Sequence, residues 1–212
     1  MALFTHMGTY KYYVVGAMAL VLVAAGGYYL FTGDTNKPTS EGSNQEQIMA
    51  VATSTYATSS YSIVYSRDFG IDTAYANTSV SPTKPIAGVK FTIPMTMATG
   101  TNLSADSYVS VEQLPRAKIC TGDIYLSANV RAESETIGGV SYSVASSTEG
   151  AAGSRYEEIV FAKSGSNPCT AVRYFIHSTS IENYPIGTVR EFDRAALLAA
   201  FDTVRDSLSI TQ

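Results

Sequence analysis

The amino-acid sequence predicts an α+β fold behind an N-terminal membrane segment. Three observations carry this. Short stretches of alternating apolar and polar residues recur from Tyr61 to His177, the final stretch from Asp193 switches to a helical period, and a twenty-residue run near the start carries no charge. Connections between the strand signals are too short for crossover helices, so the strands are expected to pair antiparallel.

The uncharged run is Tyr12–Phe31, YYVVGAMALVLVAAGGYYLF. As a helix it would extend about 30 Å, the thickness of a bilayer core. Tyrosines at 10, 12, 13, 28 and 29 flank it, as in the aromatic belts of spanning helices. Lys11 and the amino terminus place residues 1–11 in the cytoplasm and the remainder outside. The competing reading is a signal peptide cleaved near Ala24–Gly27. The apolar run continues past that point through Phe31, which favours retention as a single-pass anchor in the cell membrane.

Residues 32–60 read as a flexible polar tether. Fifteen of these 29 residues are Ser, Thr, Asn or Gln, too few of the rest being apolar to offset the entropy of ordering. An alternative adds a first strand or turn over Ile48–Tyr56. Residues 61–212 then form the extracytoplasmic domain.

Within that domain Tyr61–Ser66 (YSIVYS) alternates cleanly, and Arg67–Gly70 turns the chain before Ile71–Tyr75. Val89–Ile93 sets Val89, Phe91 and Ile93 on one face, and Tyr108–Glu112 sets Val109 and Val111 on one face. Val130–Ile137 and Val140–Val144 flank Gly138-Gly139, a pair able to take the positive φ of a tight hairpin. Glu157–Lys163 and Thr170–His177 form a second hairpin around a longer loop. Asp193 caps a final helix whose Leu197, Leu198, Phe201, Val204 and Leu208 share one face, which should pack on the sheet.

The YSIVYS opening, the central ETIGGVSYSV, the hairpin RYEEIVFA…CTAVRYFI and the terminal FDRAALLAAFDTVRDSLSI together resemble the PsbP/Mog1-like architecture. The layout is also similar to that of membrane-anchored bacterial extracytoplasmic proteins. The resemblance concerns layout; it brings no catalytic residue and implies an assembly or binding accessory. The chain departs from the pattern in having no tryptophan.

Composition narrows the function. The whole chain carries net charge −4, and residues 61–212 hold twelve Lys and Arg against fifteen Asp and Glu, which argues against a nucleic-acid partner. Two cysteines exclude a cysteine-rich zinc module. Cys120 and Cys169, an even pair on the outer side, are expected to form a disulfide, with two buried free thiols as the alternative. Closing a loop of about 50 residues stabilises by about 4 kcal/mol in the chain-entropy account.

No catalytic, metal or cofactor set is encoded, and no cofactor is expected. His177 could serve as a base, but no G-x-S-x-G nucleophile elbow accompanies it, so it reads as a hydrogen-bonded histidine at a strand end. Glu133 and Glu135 share a strand face and could act as acid and base or hold a hard cation. Arg131 on the same face makes a solvated charge ladder the simpler reading. Glu157 and Glu158 point to opposite faces. Ser147–Arg155 (STEGAAGSR) reads as a flexible loop that lacks the lysine of a P-loop. Asn77 and Asn102 begin glycosylation triplets. Most of the fifteen tyrosines are expected in half-buried strands, with a few outward ones forming a contact surface for peptide or glycan.

The expected function is therefore a membrane-anchored binding or assembly accessory. Its partners are the bilayer through residues 12–31 and a protein of the cell envelope. The alternatives are a cell-envelope hydrolase using His177 or the Glu133/Glu135 pair, and a pilin-like surface subunit.

Overall fold

The computed structural model describes residues 51–211. Eleven strands run in chain order: β1 (Thr53–Ala57), β2 (Tyr61–Ser66), β3 (Gly70–Asp72), β4 (Ala76–Asn77), β5 (Ile86–Thr92), β6 (Tyr108–Leu114), β7 (Glu133–Ile137), β8 (Val140–Ala151), β9 (Ser154–Lys163), β10 (Cys169–Thr179) and β11 (Ser209–Ile210). Two α-helices join them: the single turn α1 (Met95–Ala98) and α2 (Arg194–Asp206). Short 3-10 turns occupy Gly122–Tyr125 and Ile181–Asn183.

This corrects the expected class. Among the described residues, the expected α+β fold with a membrane-spanning helix gives way to a mostly antiparallel β-sheet structure with two helices of four and thirteen residues. The physical reason is that sheet ladders satisfy most of the ordered backbone, and among the described residues only the stretch after Asp193 has a sustained helical period. Among the described residues no helix is long and apolar enough to cross a membrane. The cytoplasmic tail 1–11, the apolar run 12–31 and the tether up to residue 50 lie outside the described residues. Thr53–Ala57, within the stretch expected as tether, is strand β1 and pairs along β2.

The main sheet has the order β3-β5-β6-β10-β9-β8-β7, with β4 pairing beside β3 on the edge of β5. A second sheet has the order β1-β2-β11. Every named strand pairing is antiparallel. The Gly138-Gly139 turn between β7 and β8 uses positive φ at both residues (56° and 81°), the geometry of the tight hairpin that their lack of Cβ permits. The stretch 147–155 is not a loop. Ser147–Ala151 continues β8 and pairs with β9, from Ser147 opposite Glu158 to Ala151 opposite Ser154. Only Ala152 and Gly153 make the turn, because extending the ladder satisfies backbone groups that a loop of small residues would leave to water.

One face of the main sheet carries the core. Val89, Val111 and Val172 stand opposite one another across β5, β6 and β10, and Phe91, Val109 and Tyr174 form the next row. All six are fully buried. Helix α2 covers this face with Leu197, Phe201 and Val204. Its Asp193 cap accepts a hydrogen bond from the Ala196 N–H at 2.9 Å, a contact of about 1 kcal/mol. The Phe201 ring meets those of Tyr174 and Phe69, with centroids 5.2 and 6.4 Å apart. At the end of the helix Ser207 Oγ accepts from Val64 N–H at 2.8 Å and ties α2 to the small sheet. Fully burying each Val, Leu or Phe side chain contributes roughly 1.5–3 kcal/mol, so this layer carries the fold.

Candidate functional site

The opposite face of the main sheet differs along its length. At one end it is covered, and at the other it is open. Because side chains alternate along a strand, Tyr108, Ser110 and Glu112 of β6, Arg173, Phe175 and His177 of β10, and Tyr156 and Glu158 of β9 all project to this side. The register places Arg173 opposite Ser110, Phe175 between Tyr108 and Glu158, and His177 opposite Tyr156.

At the covered end lies a buried ion network. The Arg173 and Glu112 side chains are 1% and 0% exposed. The guanidinium is held bidentately, Nε to Oε1 at 2.8 Å and Nη2 to Oε2 at 3.1 Å, the strong geometry for this pair. Glu112 also accepts from Ser110 Oγ at 2.9 Å, Tyr75 OH at 3.3 Å and Asn77 Nδ2 at 3.3 Å. Arg173 Nη2 donates to the Tyr125 carbonyl. Nη1 lies 3.1 Å from Glu158 Oε1, within ion-pairing distance but outside hydrogen-bond alignment. Burial alone would lower the Arg173 pKa; the Glu112 charge and its hydrogen bonds, with Glu158, overcome this and the net shift is upward. Burial raises the pKa of Glu158, partly offset by Arg173.

The 3-10 turn bearing Tyr125 can sit over this pair because of Gly122. A Cβ there would lie 2.8 Å from backbone atoms of Ala145 and Ser143 and 2.9 Å from the Val160 carbonyl. Tyr125 OH in turn donates to the Cys169 carbonyl at 2.7 Å. Cys120 and Cys169 form a disulfide with Cα atoms 5.2 Å apart, which pins the segment after Pro115 to the start of β10.

The open end carries a strip of rings. Tyr75 meets Tyr108 at 5.6 Å, Tyr108 stacks on Phe175 at 4.9 Å, Phe175 meets Tyr156 at 6.2 Å, and Tyr156 stacks on His177 at 4.4 Å. All five are half-buried. The Lys90 ammonium lies 5.4 and 5.7 Å from the Tyr75 and Tyr108 ring centroids, a cation–π geometry. Tyr75 and Tyr108 hydroxyls are 3.0 Å apart and lead inward to Glu112, so strip and ion pair form one connected unit. Burial pushes the Tyr108 phenol up to about 12 and raises that of Tyr75 as well, which keeps both hydroxyls protonated as donors.

His177 Nδ1 lies 2.9 Å from Asp106 Oδ1. Its Nε2 is shielded and has no hydrogen-bond partner among the described residues. A histidine oriented by a carboxylate is half of a hydrolytic triad, but no nucleophilic hydroxyl or thiol bonds to Nε2 to supply the other half. Glu133 and Glu135 lie on the exposed edge strand β7, opposite Val144 and Tyr142. No group of three His, Cys, Asp or Glu among the described residues is placed to hold a metal ion. Glu157 pairs with Arg194 on the helix side, while Glu158 faces Arg173. Asn77 is buried and spends its side-chain amide on Glu112. Asn102 donates to the Thr179 carbonyl at 2.8 Å.

Sequence reasoning missed Glu112, Asp106 and the union of the rings. The available signal was alternation, which puts Arg173, Phe175 and His177 on one face. Their partners lie 61 and 71 residues away, and only the strand order supplies them.

These features define a mostly antiparallel β-sheet domain with one helix-covered face and one aromatic face. No protein-family model matches the chain, and no curated protein matches its sequence. Among solved structures it is similar to a Bacteroides thetaiotaomicron protein at 10% identity and a TM-score of 0.40, over 72% of this chain and 45% of that one. This chain therefore spans less than half the length of that protein. It is also similar to cyanobacterial PsbP (CyanoP) from Synechocystis at 14% identity and a TM-score of 0.39, over 84% of this chain and 100% of that one. Similarity at this level transfers neither activity nor partners.

Proposed function

We propose that this chain is a binding or assembly accessory domain, and that the strip from Tyr75 to His177 is where it contacts a partner protein. The observation that carries this reading is the run of five half-buried rings on the sheet face away from α2, backed by the Arg173–Glu112 pair. Aromatic side chains offer large contact area at low conformational cost and are enriched at protein interfaces. The buried ion pair and the tyrosine hydrogen bonds hold the rings in place before contact, which lowers the cost of association. The Cys120–Cys169 bridge supports an oxidising compartment as the place of action.

The test uses the full chain in its own cells, with photoreactive benzoylphenylalanine in place of Tyr156 or, as control, of the exposed helix residue Ala199. The expected result is a discrete crosslinked protein from position 156 that is absent from position 199 and disappears when Phe175→Ala is added. No crosslink at 156, or the same species from both positions, would overturn the proposal.

A further inference from the structure

A second surface lies away from the aromatic strip. A groove of about 1270 Å³ runs between the disulfide-pinned segment 115–121 and the stretch 130–134. Leu114, Ile119, Ile124, Val130 and Ala132 make its walls apolar. Ile119 is 73% exposed, a large aliphatic side chain left in water on a bridged segment. Cys120 forms part of the wall, so the bridge to Cys169 holds the groove open as a fixed shape.

The rim has the opposite sign from the chain. Lys84, Arg116, Lys118 and Arg131 line it, against Asp123 and Glu133, on a protein of net charge −4. None of the four cations forms an ion pair among the described residues; what sets them apart from other unpaired cations such as Arg67 and Arg155 is that they line one apolar groove. Unpaired cations beside exposed apolar walls set up two kinds of complementarity at once. An anion alone would satisfy the rim and leave Ile119 wet; an apolar ligand alone would leave the charges unused.

We propose that this groove receives an extended acidic segment of a partner protein, one whose carboxylates meet Arg116, Lys118, Lys84 and Arg131 while interspersed apolar side chains cover Ile119 and Val130. The site is separate from the aromatic strip, so either reading stands or falls without the other.

The experiment titrates the full chain into a fluorescent peptide of alternating Glu and Leu, with a Glu/Ser peptide, a Lys/Leu peptide and a single-stranded DNA oligomer as comparisons. The Glu/Leu peptide is expected to bind, the Lys/Leu peptide to fail, and the Glu/Ser peptide to bind at least several-fold more weakly. Arg116→Glu with Lys118→Glu should weaken Glu/Leu binding about tenfold, and Ile119→Ser should weaken it several-fold at high salt as well as low. Arg67→Glu, in the turn after β2 and outside the groove lining, should leave it unchanged. All substituted side chains of the groove are exposed, and an unaltered melting temperature confirms that each variant is folded. The proposal is overturned by absence of Glu/Leu binding, by equal binding of the Glu/Ser peptide, by insensitivity to the charge reversals, or by tighter binding of the DNA oligomer.

Discussion

The two faces of the main sheet come from the same strands and solve different problems. On the helix side, β5, β6 and β10 contribute Val89, Val111, Val172, Phe91, Val109 and Tyr174, closed by Phe201. One charge enters that layer from the helix: the buried Arg205 guanidinium lies 4.7 Å from the Phe161 ring centroid and pairs with the more exposed Asp202, which also accepts from Tyr174 OH at 2.8 Å. On the other side the alternate residues of β6 and β10 are Tyr108, Ser110, Glu112, Arg173, Phe175 and His177. That face keeps charge in its interior and aromatic rings at its opening. An apolar layer is tolerant of approximate fit, while a buried ion pair is stabilising only with both partners present. The difference teaches that stability and contact surface are assigned to opposite sides of one set of strands.

The sharpest way to break this comparison is to damage each face once. Phe201→Ala should cost about 3–5 kcal/mol in denaturant unfolding, through lost burial and a cavity under α2. On the other face Glu112→Leu should cost about 3–5 kcal/mol, because it strands the Arg173 guanidinium without its counter-charge. Adding Arg173→Met to Glu112→Leu should restore part of that loss. A double variant as unstable as the sum of the singles would mean that the two faces are held by the same physics.

The disulfide offers a smaller test at the covered end. Replacing Cys120 and Cys169 together by Ser should cost about 2–4 kcal/mol, read as a lower melting temperature in non-reducing buffer. It should loosen the segment after Pro115 without removing the aromatic strip, so a crosslink from position 156 should persist.

The smallest effect concerns Glu158, where the ion network reaches the open end. Burial raises its pKa, so the folded protein holds this proton more tightly than the unfolded chain. Stability from this group is therefore complete below the ordinary carboxylate range and declines as pH rises through and above it. The melting temperature of Glu158→Gln minus that of the parent should increase from about pH 4 upward. A flat difference would show that Arg173 compensates the carboxylate fully.

Much of the β architecture was legible from residue order. The strands of YSIVYS and VKFTI, the Gly138-Gly139 hairpin and the Asp193-capped helix are local features, each set by alternation, backbone freedom or period within a few residues. The stretch 147–155 misled because Ser, Thr, Gly and Ala are ambiguous between loop and strand when no apolar alternation is present. Its strand character comes from β9 lying beside it. The candidate site was less legible for a related reason. Tyrosines 75, 108 and 156 look alike in the sequence, and although β9 and β10 read as a hairpin, nothing near them says that β6 lies along the other side of β10.

Local chemistry was sufficient to encode which residues alternate, where the chain turns and where a helix can start. Those properties depend on backbone geometry and on side chains within one turn or one strand. Bringing Glu112 to Arg173, Asp106 to His177 and five rings into one strip required the strand order and register of the folded sheet. The first two of these pairings cross 61 and 71 residues of chain, and their energies exist only once the intervening strands have excluded water from between them.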